Sequence, residues 1–276
     1  MKVSISIVVE NTTPAPNLIG EYGFSCLVRV DDNSILFDTG SHQALFPNCK
    51  ALGIKLGEIR NVVISHGHYD HTGAILPLLE NYGPKDIYAH SRLFLPRLYP
   101  RGNGGFRNIG SPFSREQLEK AGAKFIFRDS FSQIVPGVYL SGEIPRIFDF
   151  ENVGGEFKYE ADGEIKDDSL QDDMALIIDH PRGLIIVSGC AHAGLLNTID
   201  HAIRMTGKTE VLAYIGGTHL ISASAERLDR TVAALKTYSI EKFIVAHCTG
   251  FTAAARLYNE LGDMVVKGDT GMNFKF

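Results

Sequence analysis

The sequence predicts an α+β fold in which two mixed β-sheets pack face to face with helices on the outside. Stretches typical of strands alternate with helical stretches in both halves of the chain, an order typical of layered folds. The composition, 44% hydrophobic and 21% charged over 276 residues, is that of a globular protein. No charge-rich or Pro/Gly-rich linker divides the halves, so we expect a single four-layer domain over residues 1–276.

The first part of the chain is rich in predicted strands. Alternating or continuous apolar character predicts strands in KVSISIVVE, FSCLVRV, SILFDTG and NVVIS. Asp31, Asp32 and Asn33 supply a turn between the second and third strands. A short helix follows in AILPLLENYG, where Pro77 is tolerable only near the first turn and Gly83 ends the helix.

The remaining elements follow the same alternation. Ser114 and Gln117 form a capping-box pattern at the start of a helix that runs to Gly122. The later strands are predicted in KFIFRD, VYLSGEI, MALIIDH, LIIVSGC, VLAYIGG, KFIVAHC and MVVKGD. Apolar residues at helical spacing mark two further helices, through Leu195, Ile199 and Ile203 and through Leu228, Val232 and Leu235, the second capped by Ser224.

Charge, hydropathy and cysteine use restrict the class of protein. The formal net charge of -5 gives the protein no overall excess of positive charge with which to bind nucleic acid. No apolar run approaches the ~18–20 residues of a membrane span, and MKVSISIVVE resembles a strand more than a signal peptide. The four cysteines form no C-x-x-C pair and no disulfide framework. We therefore expect a soluble, cytoplasmic protein without a membrane or nucleic-acid partner.

Histidines follow the C-terminal ends of four predicted strands. They are His66, His68 and His71 (with Asp70) in HGHYDH after NVVIS, His192 after LIIVSGC, His219 after VLAYIGG and His247 after KFIVA. Burying so many imidazoles without partners would be costly. Imidazole nitrogens and carboxylate oxygens suit Zn²⁺, and also Mn²⁺ or Fe²⁺. The sequence therefore predicts a metal site where the strands end.

The spacing inside HGHYDH is compatible with two neighbouring metals. His66 and His68 point the same way in an extended segment, because the side-chain period is two, and they can share one metal. Asp70 and His71 follow where a helix begins, and they can bind a second metal. Two such metals would activate water and neutralise charge on a carbonyl or phosphoryl oxygen.

The pattern H-x-H-x-D-H in HGHYDH, with the earlier Asp38 in ILFDTG, resembles the signature of metallo-β-lactamase-fold proteins. The resemblance covers nearly the whole chain and implies an αβ/βα sandwich with a binuclear metal site at one edge. More narrowly, GCAHAG, GGTHL and AHCTG resemble a subfamily labelled dihydropterin–ribofuranosylaminobenzene phosphate synthase-like, a label that comes from methanopterin biosynthesis.

The resemblance also implies the ligands. The first metal would be bound by His66, His68 and His192, and the second by Asp70, His71 and His247. Asp38 would orient ligand imidazoles through a hydrogen bond. His219 has three possible roles: a metal ligand, a general acid for a leaving group, or a substrate contact.

One position departs from the family pattern. Many members carry an aspartate that bridges the metals where this chain has Cys190. Either the Cys190 thiolate contributes, or Asp172 or Asp173 supplies a carboxylate, or no protein group bridges. We favour Cys190 as a small buried residue. Cys248 is interpreted as structural, because its side chain should face away from a metal bound by its neighbour His247.

Two features indicate an anionic substrate. The stretch RGNGGFRNIG lacks secondary-structure periodicity, and it is either a solvated surface loop or a flap whose Arg101 or Arg107 holds a phosphate or carboxylate. The helix that starts after His192 could offer free backbone N–H groups to an anion near the metals.

The sequence thus predicts a metal-dependent hydrolase that uses metal-activated water on an ester, phosphoester or related bond of an anionic or phosphorylated small molecule. Its expected cofactors are two zinc ions, with manganese or iron as alternatives, and Asp70 and His219 are the predicted catalytic residues. One alternative is a phosphoribosyl-transferring synthase of the methanopterin pathway that joins aminobenzoate to a phosphoribosyl donor. Another is a non-catalytic metal- or ligand-binding protein. The oligomeric state is left open.

Overall fold

The computed structural model describes residues 1–276. The strands are β1 (Val3–Val9), β2 (Ser25–Val30), β3 (Asn33–Phe37), β4 (Asn61–Val63), β5 (Lys85–Ala89), β6 (Arg97–Pro100), β7 (Phe106–Asn108), β8 (Ala123–Phe127), β9 (Ser132–Val135), β10 (Val138–Leu140), β11 (Lys158–Ala161), β12 (Glu164–Asp167), β13 (Ala175–His180), β14 (Gly183–Ser188), β15 (Glu210–Gly216), β16 (Ser239–Val245), β17 (Val265–Lys267) and β18 (Asn273–Lys275). The helices are α1 (Leu45–Ala51), α2 (Tyr69–Thr72), α3 (Ile75–Tyr82), α4 (Arg115–Lys120), α5 (Leu195–Thr206), α6 (Ala225–Leu235) and α7 (Phe251–Leu261).

The chain divides into two units. Unit 1 comprises Met1–Asp129, Glu156–Asp168 and Asp269–Phe276, and unit 2 comprises Ser130–Gly155 and Ser169–Gly268. The expectation of one domain over residues 1–276 stays a prediction.

Unit 1 is built on a seven-stranded mixed sheet with the order β18-β1-β2-β3-β4-β5-β8. The strands β1, β2 and β3 are antiparallel neighbours, whereas β3, β4, β5 and β8 run parallel. Leu45 of α1, Leu78 of α3 and Leu118 of α4 belong to one buried cluster with Val62 and Ile87 of the sheet. The helices therefore cover one face of this sheet, the face that alternate strand residues present.

Unit 2 has its own seven-stranded mixed sheet, with the order β17-β16-β15-β14-β13-β10-β9. The strands β14 to β17 are parallel and the others antiparallel. Leu196 of α5, Val232 of α6 and Leu257 of α7 share a buried cluster with Tyr214 and Phe243 of the sheet.

No helix of the protein has the length and apolar character that crossing a bilayer requires.

The predicted helix ends are confirmed. Ser114 and Gln117 make the reciprocal capping-box hydrogen bonds at the start of α4, and the Ser224 side chain accepts the backbone N–H of Arg227 at the start of α6. Gly83 ends α3 with φ +78°, a conformation that glycine adopts without steric cost. These ends were predictable because capping depends on residues close in sequence.

The stretch from Arg101 to Gly110, predicted as a solvated surface loop or a flap, combines an exposed turn with the short strand β7. The strands β6 and β7 form an antiparallel hairpin that pairs Tyr99 with Arg107, and Arg101 donates its backbone N–H to Gly105 O across the turn at 3.0 Å. With β11 and β12 the hairpin builds a four-stranded sheet in unit 1, of the order β12-β11-β6-β7. Strands of three or four residues are too short to show a period, and β11, which pairs with β6, lies about sixty residues away in the chain.

Strand register brings candidate residues to one edge of each main sheet. In unit 1, β3 and β4 pair Phe37 with Val63, so the segments that begin at Asp38 and Ile64 leave the sheet side by side. In unit 2, Ser188 of β14 pairs with Gly216 of β15, which pairs with Val245 of β16. The chain segments carrying the predicted site histidines therefore leave parallel strands at their carboxyl ends, where open α/β sheets bind ligands.

Candidate metal centre

Asp38 organises the imidazoles of unit 1. Its Oδ1 accepts the backbone N–H of Ser65 at 2.7 Å, and its Oδ2 accepts the Ser65 hydroxyl and Nδ1–H of His71, each at 2.7 Å. Asp38 is fully buried and has φ +56°, a conformation that persists only where the surroundings hold it. Because a carboxylate can only accept, Nδ1 of His71 carries the proton and Nε2 keeps its lone pair. The orienting role predicted for Asp38 therefore agrees with this geometry.

Ser65 extends the influence of Asp38 to His66. The single hydroxyl proton of Ser65 goes to Asp38, so its Oγ must accept from Nδ1 of His66, at 2.9 Å. Nε2 of His66 thus keeps its lone pair, and it lies 3.0 Å from Nδ1 of His68. Two nitrogens bound to one zinc ion at ~2.0–2.1 Å stand about 3.3 Å apart in tetrahedral geometry. The facing nitrogens therefore fit a shared cation, and Ser65 is a positioning residue that motif reasoning missed.

The HGHYDH segment is compact and buried. His68 precedes α2, which carries Asp70 and His71. The rings of His66 and His71 lie 4.2 Å apart between centroids, and Asp70 Oδ2 is 3.7 Å from Nε2 of His71. All four residues are at most 5% exposed. Unit 1 thus brings together four of the predicted metal ligands, although the distribution of these ligands between two metals stays a prediction.

In unit 2, the three histidines follow three adjacent parallel strands. The rings of His192 and His219 lie 4.2 Å apart between centroids. Nδ1 of His192 lies 2.8 Å from the carbonyl oxygen of Val153; since a carbonyl only accepts, this nitrogen carries the proton and Nε2 keeps the lone pair. Ala191, His219 and His247 have φ between +47° and +56°. Such conformations are uncommon outside glycine, and they cluster at functional sites.

The side chain of Cys248 was predicted to face away from a metal bound by His247, but its sulfur lies near a ring nitrogen of His247. The sulfur atoms of Cys190 and Cys248 and a ring nitrogen of His247 all lie within 4.8 Å of one another. Cys248 Sγ also accepts the backbone N–H of His219 at 3.3 Å. The prediction assumed an extended chain, but residues 247–249 form a 3-10 turn, in which adjacent side chains do not point to opposite sides.

The Cys248 thiol is set up to ionise. Burial by itself raises its pKa, but the hydrogen bond with Cys190 and the nearby His219 and His247 together bring the pKa down to about 5. Cys190 is 2% exposed, in keeping with the small buried residue that we favoured, yet its sulfur belongs to the same group. A thiolate beside an imidazole is a donor pair that suits zinc or iron.

Asp173 supports the chain next to His192. Its Oδ2 accepts the backbone N–H of Ala193 at 2.8 Å, while its buried Oδ1 has no hydrogen-bond partner. Burial raises the pKa of this carboxyl to about 7, against the opposing effects of the Ala193 N–H and the Arg146 charge. Asp172 is fully buried beside it. A bridging role for either aspartate stays a prediction.

The predicted anion site at the start of α5 is wrong. The carboxylate of Glu151 accepts the backbone N–H groups of Leu196 and Asn197, each at 2.9 Å. The chain's own anion therefore takes the donors that we assigned to a substrate. Glu151 lies more than forty residues from the helix it caps, so no local sequence pattern could have identified it.

The two predicted substrate arginines differ in position. Arg101 lies in the exposed turn of the β6–β7 hairpin. Arg107 is exposed on β7, and its charge lowers the pKa of Tyr69, which burial and Asp70 raise. The backbone N–H of Tyr69 donates to Ile109 O at 3.0 Å, which ties the hairpin to HGHYDH. Of the two arginines, Arg107 is therefore the one placed near the metal-binding motif.

Comparison with known proteins agrees with this fold. A family model described as "Metallo-beta-lactamase superfamily" matches residues 18–202. The chain is 31% identical, over 93% of its own length and 90% of the relative's, to the 7,8-dihydropterin-6-methyl-4-(beta-D-ribofuranosyl)-aminobenzene-5'-phosphate synthase of Methanocaldococcus jannaschii. Among solved structures, Tm1679, a metal-dependent hydrolase of the beta-lactamase superfamily, superposes with a TM-score of 0.86 at 24% identity, covering 99% of both chains. Zn²⁺-bound PqqB from Methylobacterium extorquens superposes with a TM-score of 0.58 at 14% identity, covering 100% of both chains.

These similarities define an α+β protein of the metallo-β-lactamase fold, and the predicted fold class is confirmed. The chain belongs to the metallo-beta-lactamase superfamily. The predicted resemblance to the synthase subfamily is confirmed as well. The donor set fits a divalent metal, because His66, His71 and His192 each have Nδ1 hydrogen-bonded in a way that leaves the Nε2 lone pair for coordination.

Proposed function

We propose that this protein is a metal-dependent hydrolase acting on an ester, phosphoester or related bond of an anionic small molecule. The observation that carries the proposal is the position of the proton on three imidazole rings. A hydrogen bond fixes the proton of an imidazole on Nδ1 in the same way in both units, at His66, His71 and His192. This arrangement is typical of metal-ligating histidines and has no comparable explanation in packing.

The proposed ligands come from both units. The first metal would be held by His66, His68 and His192, and the second by Asp70, His71 and His247. Two zinc ions are the proposed cofactors, with manganese or iron as alternatives. A bound divalent metal supplies an activated water and a positive charge for a carbonyl or phosphoryl oxygen. Superfamily membership and the buried donor atoms of each unit support this assignment.

The chain's own residues take the other roles. Asp70 holds and orients the attacking group, and His219 is the proposed proton donor to the leaving group. Arg107, exposed on β7 beside Tyr69, would bind a phosphate or carboxylate of the substrate. We further propose that the protein works in the cytoplasm on a small molecule rather than on nucleic acid.

Metal content per chain tests the centre first. Elemental mass spectrometry on protein purified without added metal or chelator should find close to two equivalents of zinc, manganese or iron. His66→Ala in unit 1 and His192→Ala in unit 2 should each remove at least one equivalent. His42→Ala, which changes an exposed histidine, is the matched control and should leave the content unchanged. Protein that binds no metal, even when metal is added, would refute the proposal.

Activity then distinguishes the reaction classes. The hydrolase should cleave members of a panel of phosphomonoesters, phosphodiesters and carboxylic esters, and His219→Gln should slow turnover while retaining the metal. Metal-replete protein that cleaves nothing in the panel would count against hydrolysis.

A second candidate is the synthase reaction, which joins an aminobenzoate to a phosphoribosyl donor. The 31% identity over 93% of this chain to the Methanocaldococcus jannaschii synthase, whose named product joins a dihydropterin to a ribofuranosyl-aminobenzene phosphate, favours a synthase of this kind in general rather than this particular bond. Incubation with 4-aminobenzoate and a phosphoribosyl diphosphate, followed by mass spectrometry, would detect the joined product. Absence of this product together with hydrolysis in the panel would leave the first candidate. Absence of both activities with metal bound would favour a non-catalytic metal-binding protein.

A further inference from the structure

The segment Glu151–Gly154 contacts two of the candidate histidines of unit 2. The Val153 carbonyl accepts Nδ1–H of His192 at 2.8 Å. The next residue, Gly154, lies directly against the other imidazole: a Cβ added there would stand 1.9 Å from Nδ1 of His219. Gly154 also has φ +85°, so both the space and the backbone conformation require glycine.

Side chains of the segment fasten it to two helices. The Glu151 carboxylate accepts the first backbone N–H groups of α5. Asn152 Oδ1 accepts the Gly154 backbone N–H at 2.9 Å and Nη1 of Arg227, on α6, at 2.7 Å. Ser222 Oγ donates to the Gly154 carbonyl at 2.8 Å. Every residue of the segment is therefore bonded at a defined place in unit 2.

The burial of the Arg227 side chain is energetically unfavourable. Its side chain is 4% exposed, and its Nε and Nη2 have no hydrogen-bond partner. Burying a guanidinium with unsatisfied donors is unfavourable, so ordinary packing would favour an apolar residue here. An apolar residue could provide neither the hydrogen bond to Asn152 nor the positive charge that partly offsets the effect of burial, which raises the pKa of Glu151 in the same segment.

We propose that Glu151–Gly154, fastened by Arg227 through Asn152, is a positioning element that fixes the tautomer of His192 and the ring position of His219. The Val153 carbonyl holds the His192 proton on Nδ1, which leaves Nε2 as the coordinating atom. Gly154 sets the distance of the His219 ring from His192. The functional consequence rests on the proposed metal centre, but the tautomer itself is a property of the chain and can be measured without metal.

The test compares Asn152→Ala and Arg227→Met with Thr231→Val. Thr231 lies one turn further along α6, is fully buried, and has a hydroxyl without a hydrogen-bond partner, so its replacement removes a buried polar group without touching the segment. Two-dimensional ¹H–¹⁵N spectra of the histidine rings in metal-free protein report which nitrogen carries the proton. Competition with a chelator reports zinc affinity, and thermal unfolding reports stability.

We expect His192 to be protonated on Nδ1 in the wild-type protein and in Thr231→Val, and to show a mixture of tautomers in the other two variants. Zinc affinity should fall about 10–100-fold in those variants, the usual effect of losing an outer hydrogen-bond partner of a ligand. A lower melting temperature with unchanged tautomer and affinity would show that the segment is only scaffold and would overturn the proposal. Wild-type His192 protonated on Nε2 would overturn it too.

If the wild-type protein binds none of zinc, manganese and iron, the proposed function fails, and the ring spectra still decide the positioning role. Gly154→Ala provides a second perturbation: displacement of the His219 ring signals with His192 unchanged is expected if the glycine acts on His219 alone. Unchanged His219 signals in folded Gly154→Ala would contradict the assigned contact.

Discussion

Replacing Ser65 with alanine removes the link between Asp38 and His66. The hydroxyl makes two buried hydrogen bonds, one of 2.7 Å to Asp38 Oδ2 and one of 2.9 Å from Nδ1 of His66. In Ser65→Ala the carboxylate keeps its bonds from the Ser65 backbone N–H and from His71. The His66 Nδ1–H loses its acceptor in a region where the side chain is 1% exposed.

The magnitude follows from that orphaned donor. Leaving one buried polar group unsatisfied costs about 1–3 kcal/mol of the free energy of unfolding. The His66 ring can recover an acceptor only by turning or by moving its proton to Nε2, and either change removes the lone pair that would bind the metal. We therefore expect zinc affinity to fall about 10–100-fold, with a loss of stability that is present in metal-free protein as well.

Calorimetric unfolding of the metal-free protein and chelator competition for zinc measure the two effects separately. Ser65→Thr, which keeps the hydroxyl, should retain more of the zinc affinity than Ser65→Ala. The matched control is Ser6→Ala, since Ser6 is a buried serine of β1 in the same sheet whose hydroxyl accepts a side-chain amide N–H of Asn273. A Ser65→Ala variant with wild-type zinc affinity and an unchanged His66 tautomer would falsify the relay through Ser65.

Three further perturbations test other parts of the structure. Asp173→Asn should flatten the pH dependence of stability, because the buried acid has a folded pKa of about 7, above its unfolded value of ~3.9. The native state therefore binds the extra proton, and the free energy of unfolding of the wild-type protein falls by up to ~4 kcal/mol as pH rises between those values. If denaturant titrations at pH 5, 6, 7 and 8 give the same dependence of the unfolding free energy on pH in both proteins, this reasoning is wrong. Gly67→Ala should reduce the amount of folded protein, because a Cβ there would stand 2.1 Å from Leu93 O; a normal melting temperature would contradict the close approach. Arg97→Met should cost about 3–5 kcal/mol, because it leaves Asp168 buried without the 2.9 Å ion pair that the two now make at 1% and 5% side-chain exposure; an equal or higher stability in urea unfolding would show that the apolar replacement compensates.

Local sequence patterns were sufficient for most secondary structure and for the metal-binding motif. Capping at Ser114 and Ser224 was predictable because the partners lie three residues away. The grouping of His66, His68, Asp70 and His71 was predictable because all lie within six residues. In each case the interacting groups are neighbours along the chain, so the order of side chains largely fixes their geometry.

Features that depend on distant partners were missed or predicted wrongly. The β6–β7 hairpin depends on pairing with β11, and the start of α5 is capped by Glu151 rather than left open. The orientation of Cys248 depends on the turn that His247 opens with φ +51°. None of these leaves a periodic or nearest-neighbour signal in the sequence.

The sequence by itself therefore determined which residue types could bind metal and at which strand ends they stand. Only the tertiary structure decided which ring nitrogen of His66, His71 and His192 carries the proton, through Asp38 and Ser65 in unit 1 and the Val153 carbonyl in unit 2. The physical reason is that a hydrogen bond fixes a tautomer only when donor and acceptor are about 3 Å apart. Residues 27 to 39 positions apart in the chain reach that distance only after the sheets and their connecting segments have folded.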